Sequence, residues 1–173
     1  MRTVACTRDR HAESILAIFN DAIVHSTALY DYSARPLSSM DAWFAAKAAG
    51  GFPVIGIESE SGELLGFASY GVFRAWPAYK YTVEHAVYVH KDHRGSGLGM
   101  RLMGELIAAA KAQNRHVLVG CIDASNQGSI ALHERLGFAH AGTIKQAGFK
   151  FGRWLDVALY QLILDTPSEP VDG

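Results

Sequence analysis

Residues Thr82–Met103 read TVEHAVYVHKDHRGSGLGMRLM, and the rest of the fold can be worked out from this stretch. Its first part carries valines and a tyrosine, which favour a β-strand. Its middle part has three glycines within the six residues Arg94–Gly99. Leucines at positions 98, 102 and 106 recur with helical spacing. The stretch is therefore predicted to form a strand, a glycine-rich turn and the start of a helix.

A glycine-rich turn before a helix is suited to binding an anion, most plausibly a phosphate. Glycine lets the backbone come close to a ligand and adopt positive φ. The first N–H groups of a helix have no partner within the helix. The turn lacks the Gly-Lys-Ser/Thr of a Walker loop, and its G-x-G-x-G spacing differs from the G-x-G-x-x-G of dinucleotide-binding folds. On glycine count alone, an ordinary strand-to-helix turn fits equally well.

The length, charge and apolar content of the chain limit the classes of protein to which it can belong. The chain has 173 residues with 49% apolar residues, which predicts one globular domain over 1–165. Its net charge of −1 argues against a nucleic-acid partner. No apolar run has the length of a membrane span, and the N-terminus lacks the apolar core of a signal peptide, so a soluble cytoplasmic protein is expected.

Two further expectations concern the cysteines and the C-terminal end. Cys6 and Cys121 lie in apolar strand-like contexts, and buried free thiols are favoured over a disulfide. The tail 166–173 has two prolines, two acids and a glycine, and is predicted to be disordered.

The remaining elements follow from periodicity and turn residues, and they give a mixed α/β order of β-α-α-β-β-β-α-β-α-β-β. Ser39 is predicted to cap the second helix, and Gly50 and Gly51 to end it. The predicted helices outside the central stretch are Ala12–His25, Met40–Ala49 and 125–135. The predicted strands outside it are Val4–Cys6, Val54–Ile57, Leu64–Phe73, Val117–Ile122, one entered at Phe138, and Val157–Leu164.

The pattern of Arg94–Gly99 resembles the R/Q-x-x-G-x-G/A loop of the GNAT superfamily of N-acetyltransferases. The resemblance implies the fold of that superfamily, a mostly antiparallel sheet flanked by helices, and acetyl-CoA as co-substrate. It also implies cofactor contacts through the loop and the end of the preceding strand. These residues are Val87, Tyr88, Val89, Arg94, Gly95, Ser96, Gly97, Leu98, Gly99 and Met100.

A second segment, residues 126–138, resembles the superfamily pattern N-x-x-A/S-x-x-L-Y-x-x-x-G-F. Asn126 falls on the asparagine that contacts the pantetheine arm. His133 falls where most members carry a tyrosine that protonates the leaving thiolate, and histidine can also give a proton near neutral pH. The alternative is that His133 covers a helix surface or packs on the core.

Acetyl transfer to an amine needs a group that takes the proton of the ammonium, and Glu84 is the candidate general base. It lies inside an otherwise apolar strand, and partial burial of a carboxylate improves it as a base at neutral pH. The alternative is a solvated glutamate on the outer face. His85 follows directly and points to the opposite face of the strand, unless a bulge intervenes.

Several segments, including Thr82–Val89 and 148–156, look like the phosphinothricin and methionine sulfoximine N-acetyltransferases. That group acts on small amino acids, needs no metal, and is usually dimeric, so a homodimer is expected. Arg74 is suited to holding an anion. Lys80 could add positive charge, although both cations could equally be solvated. The substrate contacts implied by the resemblance are Arg74, Ala75, Trp76, Glu84, His85 and Ala86.

Two alternatives to an amino-acid N-acetyltransferase stay open. One is an acetyltransferase for another amine, such as a polyamine, an aminoglycoside or a protein N-terminus. The other is a non-catalytic acyl-CoA sensor on the same fold, which would keep the glycine loop but have no need of Glu84 or His133.

Overall fold

The computed structural model describes residues 1–172, and within this range it contains seven strands, four helices and two short 3-10 turns. The strands are β1 (Arg2–Ala5), β2 (Val54–Glu58), β3 (Leu64–Val72), β4 (Thr82–Val89), β5 (Val117–Asp123), β6 (Ala139–Lys150) and β7 (Arg153–Ile163). The helices are α1 (Arg8–His25), α2 (Ser39–Ala49), α3 (Leu98–Ala112) and α4 (Gln127–Arg135). The predicted order of elements and the mixed α/β class are confirmed.

The strands form one sheet in the order β1-β2-β3-β4-β5-β7-β6. Strands β4 and β5 are parallel, and the chain connects them through α3, as a parallel pair requires. The pairs β1–β2, β2–β3, β5–β7 and β6–β7 are antiparallel. The β4–β5 ladder places Glu84 opposite Val119 and His85 opposite Gly120. Both strands continue beyond this ladder, β4 to Val89 and β5 to Asp123.

The chain consists of two compact units, and the boundaries between them fall within β3, β4 and α3. The first unit comprises Met1–Ser69 and Ala86–Leu106. Its core is aromatic: the Phe19 ring meets the Phe67 ring edge-on at 5.1 Å and the Tyr88 ring at 5.2 Å. Such edge-to-face pairs are favourable beyond the apolar area they bury. They pack α1 against β3 and the second half of β4.

The second unit comprises Tyr70–His85 and the chain from Ile107 onwards. Its buried apolar residues include Leu118, Phe138, Leu155, Ala158 and Tyr160. Two histidines, His85 and His133, are buried among them.

The segment after β7 belongs to the same unit and is described as far as Asp172. No helix or strand occurs between Leu164 and Asp172. Thr166 Oγ1 donates a hydrogen bond to the carbonyl of Arg115, and the Val171 amide donates to the Tyr81 hydroxyl over 3.2 Å. The prediction of a disordered tail also covered Gly173, which lies outside the described residues.

The structure corrects two predicted boundaries. Helix α2 begins at Ser39, and the capping position before it belongs to Ser38. The Ser39 hydroxyl donates to the carbonyl of Pro36 and does not cap the helix. Strand β7 begins at Arg153 rather than at Val157. A two-residue turn with positive φ at Phe151 (52°) and Gly152 (72°) joins β6 directly to β7.

The cysteines are free, as expected, but they are not both buried. Cys6 is half-buried and Cys121 is exposed. Burial is the main reason that the pKa of Cys6 rises to about 12, and the Glu58 carboxylate raises it further against the effect of Arg10. Both cysteines are therefore thiols at neutral pH.

Glu58, at the end of β2, is a buried carboxylate with three basic partners. Its side chain is 1% exposed, and it accepts hydrogen bonds from Arg2 and Arg10 at 2.8–3.0 Å. The Thr7 amide donates to His11 Nδ1, so His11 Nε2 carries the proton and donates to Glu58 over 3.1 Å. Burial raises the pKa of Glu58, but its three partners outweigh burial and lower the pKa below 4.5.

Replacing Glu58 with glutamine is expected to lower Tm at pH 7 by several degrees, because Arg2 and Arg10 lose the carboxylate that neutralises them. The lowered pKa stabilises the fold above about pH 4.5, and this contribution is lost as the pH falls below that value. The variant should therefore lose less stability on acidification than the wild type. Thermal unfolding between pH 3 and pH 7 measures both effects.

Glu60→Gln provides the matched control, because the Glu60 side chain is 97% exposed. It should unfold like the wild type at every pH. An acid dependence in Glu58→Gln as steep as that of the wild type would contradict the assignment.

Candidate active site

The glycine-rich turn lies in the first unit, between the end of β4 and the start of α3. A 3-10 turn over Lys91–His93 follows β4, and α3 begins at Leu98. Gly95 and Gly97 have φ of 78° and 82°, and a Cβ at either would meet no atom within 4 Å. Glycine is therefore needed here for backbone conformation and not to relieve crowding within the protein. The predicted strand, turn and helix are confirmed, and the turn has an open outer surface.

Arg94 holds this turn to the neighbouring elements. Its Nη2 forms an ion pair with Asp21 on α1 at 2.9 Å, and its Nε donates to the carbonyl of Val89 over 3.3 Å. About half of the side chain is exposed. Arg94 therefore stabilises the conformation of the loop, in addition to its predicted contact with the cofactor.

The other predicted cofactor residues in this unit differ in exposure. Gly95, Ser96 and Gly97 are exposed, whereas Leu98 is 4% exposed and can present only its backbone to a ligand. Val87, Tyr88, Val89, Gly99 and Met100 are partly buried.

The end of β4 lies unusually close to β3 in the first unit. A Cβ at Gly66 would lie 2.8 Å from the carbonyl oxygen of Tyr88 and 3.2 Å from the Cα of Val89. Glycine at this position lets the backbone of Tyr88–Val89, where the pantetheine contact is predicted, sit tightly against β3.

Glu84 lies in the second unit, at the middle of β4, and is partly exposed. Alternation along the strand puts Glu84 and His85 on opposite faces, and His85 is buried as that alternation predicts. Glu84 and Arg74 both influence the thiol of Cys121, a third residue of the same unit. Although the Cys121 residue is exposed overall, partial desolvation of its thiol raises the pKa to about 11, the nearby Glu84 carboxylate raises it too, and the Arg74 guanidinium opposes this.

This grouping was only partly predictable from the sequence. Arg74 and Glu84 were both predicted to contact substrate, and they act on the same thiol. Cys121 was missed as a member of the site. Its signal was the parallel register, because Val119 faces Glu84 and the residue two further along β5 points to the same face.

Arg74 starts the loop that precedes β4. Its guanidinium stacks on the Phe73 ring at 4.5 Å, and Nη1 donates to the Phe73 carbonyl over 2.9 Å. Trp76 is 68% exposed, and Ala75 is exposed as well. The Lys80 ammonium lies over the Tyr81 ring at 5.2 Å. The loop before β4 therefore presents two large aromatic rings, Trp76 and the 43%-exposed Tyr79, and a guanidinium at its surface.

His85 and His133 form a buried pair in the second unit. Their Nε2 atoms are 2.8 Å apart, and their rings are stacked with centroids at 5.1 Å. His133 Nδ1 donates to the carbonyl of Ser129 over 2.7 Å. Burial lowers the pKa of both rings, that of His85 to about 3, where the charge of His133 adds to the effect. Both histidines are therefore neutral at pH 7.

The neutral state restricts the predicted role of His133 as a proton donor. Its single proton is on Nδ1 and faces Ser129, so its Nε2 accepts the proton that His85 carries. Donation to a thiolate would first need a second proton on the pair, and burial opposes that. The donor role stays a prediction, and it requires a protonation state that this geometry disfavours.

Asn126, the predicted pantetheine contact, caps the N-terminus of α4. Its side-chain oxygen accepts from the Ser129 amide over 3.1 Å. This fixes the orientation of the side chain and directs its amide nitrogen away from the helix.

The described residues 1–172 contain no group of three or more His, Cys, Asp or Glu side chains arranged to hold a metal ion. None of the helices in this range is long and apolar enough to cross a membrane.

Residues 14–138 match the model of the acetyltransferase (GNAT) family. The chain belongs to this family. It is an N-acetyltransferase, as its relatives in the family are named. The GNAT fold predicted from residues 94–99 is thereby confirmed.

Individual relatives narrow the comparison within the GNAT family. An L-methionine sulfoximine/L-methionine sulfone acetyltransferase from Pseudomonas paraeruginosa is 48% identical over 157 residues, which cover 90% of this chain and 91% of that protein. A solved structure from Acinetobacter baylyi is 64% identical, with a TM-score of 0.99 over 99% of this chain and 97% of that one. A phosphinothricin acetyltransferase from Sinorhizobium meliloti, solved in complex with acetyl-CoA, is 30% identical, with a TM-score of 0.93 over 99% and 94% of the two chains.

Proposed function

We propose that this N-acetyltransferase moves the acetyl group of acetyl-CoA to the α-amino group of a small amino-acid analogue, such as methionine sulfoximine, methionine sulfone or phosphinothricin. The observation that carries the proposal is the β4–β5 register, which puts Cys121 on the same face as Glu84, with Arg74 close enough to influence the Cys121 thiol. A carboxylate can take the proton of an ammonium, and a guanidinium can hold a carboxylate or a phosphinate. The named relatives support the same substrates.

Each of these residues has a separate proposed role in the acetyl transfer. Acetyl-CoA supplies an activated acetyl group, and the amine must lose a proton before it can attack. Glu84 is the proposed general base, acting directly or through a water molecule. Cys121, which is a thiol at neutral pH, would donate its S–H to the nearby Glu84 carboxylate and thereby orient it. Arg74 would hold the substrate anion, with Ala75, Trp76 and Ala86 forming the rest of the proposed contacts. His85, predicted from the resemblance as a further contact, is buried on the face opposite Glu84, so its side chain is left out of the proposed substrate site.

The proposed contacts with acetyl-CoA are the ones that the resemblance to the GNAT family implies. The backbone of Val87–Val89 lies beyond the β4–β5 ladder and would pair with the pantetheine arm. The positive-φ glycines of the turn and the first amides of α3 would bind the pyrophosphate. Asn126 would add a side-chain contact to the pantetheine arm. The fit rests on the open outer surface at Gly95 and Gly97.

We also propose a cytoplasmic homodimer built on a single domain over 1–165. The support for a dimer is a group of large apolar side chains at the β6–β7 hairpin, where Phe149, Phe151 and Trp154 are 46–60% exposed. Exposed apolar groups of this kind are typical of interaction surfaces. Sedimentation velocity would measure the state in solution.

The experiment that tests the substrate class is a thiol-release assay with acetyl-CoA over a panel of amines. We expect turnover of methionine sulfoximine, methionine sulfone or phosphinothricin, and little turnover of polyamines or peptides, because Arg74 favours an anionic substrate. Turnover confined to polyamines, aminoglycosides or protein N-termini would replace the amino-acid assignment by the other-amine alternative. Tight acetyl-CoA binding without turnover of any amine would favour the sensor.

A further inference from the structure

The buried pair His85–His133 connects two elements that carry proposed site residues. His85 directly follows Glu84 on β4, and His133 lies on α4, the helix that Asn126 caps. Three hydrogen bonds and the backbone of Ser129 link His85 to Asn126. His85 donates to His133, His133 donates to the Ser129 carbonyl, and the Ser129 amide donates to Asn126.

We propose that His85 and His133 act as positioning residues that fix α4, and with it Asn126, relative to the part of β4 that carries Glu84. The inference rests on the proposed roles of Glu84 and Asn126. It assigns neither histidine a contact with the substrate.

The direction of each hydrogen bond follows from the acceptors. A carbonyl oxygen can only accept, so His133 must carry its proton on Nδ1. A neutral His133 then has a bare Nε2, and His85 must donate to it from its own Nε2. Each ring is thereby held in one tautomer, and the two rings cannot exchange roles without breaking the bond to Ser129. A link with one allowed arrangement defines a position more sharply than an apolar contact does.

The packing around the pair shows that the site is built for two imidazole rings. A Cβ at Gly120, opposite His85 in the ladder, would lie 3.1 Å from His133 Nε2 and 3.1 Å from His85 Cε1. The Phe138 ring packs on both imidazoles, with centroids 5.1 Å from His85 and 5.0 Å from His133. A side chain at 120 would therefore crowd both rings and make them shift by a few tenths of an ångström, and the rings are confined on several sides.

His85 Nδ1 is a buried acceptor that has no hydrogen-bond partner within residues 1–172. Leaving a buried acceptor unpaired costs about 1–3 kcal/mol. A leucine or phenylalanine would avoid this penalty at a position that served only packing. The presence of histidine is explained if the donor at Nε2 is needed.

The test combines a spectroscopic readout with a double-mutant cycle. Long-range 1H–15N spectra of the labelled wild type should show His133 protonated on Nδ1 and His85 protonated on Nε2 at pH 7, with signals assigned through their loss in the variants. His85→Phe removes the donor and keeps a ring. His133→Asn keeps a donor toward Ser129 and removes the acceptor for His85.

Each single variant should lower kcat, per folded enzyme, by roughly 10- to 100-fold, because small displacements of reacting groups have effects of this size. The double variant should lose no more than either single one, because both remove the same bond. His85→Gln places an amide N–H near the position of Nε2 and should recover most of the activity. His140→Gln serves as control, since His140 is exposed on β6, where its Nε2 hydrogen-bonds to Thr143 and its ring lies against Tyr160, outside the His85–His133 bond.

Losses that add in the double variant, unchanged kcat in the single variants, or a wild-type His133 protonated on Nε2 would each overturn the proposal. The tautomer measurement needs no activity and, with the signals assigned from one folded variant, still tests the direction of the bond if the other variant fails to fold. Absence of wild-type turnover with every amine would instead count against the proposed function and leave the tautomer result standing.

Discussion

Replacing Glu84 with glutamine is expected to lower kcat for the amine substrate by about 10²- to 10⁴-fold, the usual contribution of a general base. The amide keeps the size and hydrogen-bonding shape of the side chain but cannot take a proton. The dissociation constant of acetyl-CoA should stay unchanged, because the loop that is proposed to bind it follows β4 and does not include Glu84. Steady-state kinetics and calorimetry measure the two quantities separately.

Two further variants sharpen this test. Glu105→Gln changes an exposed carboxylate on α3 whose nearest partner is Thr3 at 3.5 Å, and it should leave kcat unchanged. Cys121→Ala removes the thiol that is proposed to orient the Glu84 carboxylate and should have a smaller effect than Glu84→Gln. Full activity of Glu84→Gln at pH 7 would show that another group takes the proton.

The succession of elements was predictable because it depends on local signals. Glycines at 50, 95 and 97 end or join elements in the predicted places, and the last two have positive φ. The start of β7 was missed because a Phe-Gly turn lacks the Asn-Gly or Asp-Gly that usually marks a tight hairpin. An aromatic residue at positive φ, as at Phe151, leaves little trace in the sequence.

The side-chain arrangement of the site was predictable only where strand alternation governs it. The opposite faces of Glu84 and His85 follow from the period of two. The contact between Cys121 and Glu84 requires the β4–β5 register, and the bond between His85 and His133 requires the packing of α4 on the sheet. In both pairs the two residues are far apart in the sequence, so local patterns do not predict that they meet. For the same reason, the donor role predicted for His133 could not take its two hydrogen-bond partners into account.

Replacing Gly97 with valine is expected to weaken acetyl-CoA binding by about 5- to 150-fold. Gly97 has φ of 82°, a region that a β-branched residue occupies only with strain of about 1–3 kcal/mol. In the free variant the turn can relax to a negative φ. Binding must then restore the original turn, and the strain is subtracted from the binding free energy, where 1.4 kcal/mol corresponds to tenfold in Kd.

Gly62→Val separates this effect from backbone strain in general. Gly62 has φ of 86° in the β2–β3 turn, and a Cβ there also meets nothing within 4 Å. Both turns can relax in the free protein, so the two variants should resemble each other in thermal unfolding, while only Gly97→Val loses affinity for acetyl-CoA in calorimetry. Equal affinity in the two variants would mean that the turn at Gly97 does not hold the cofactor. In that case, the resemblance of residues 94–99 to an acetyl-CoA loop would reflect chain geometry alone.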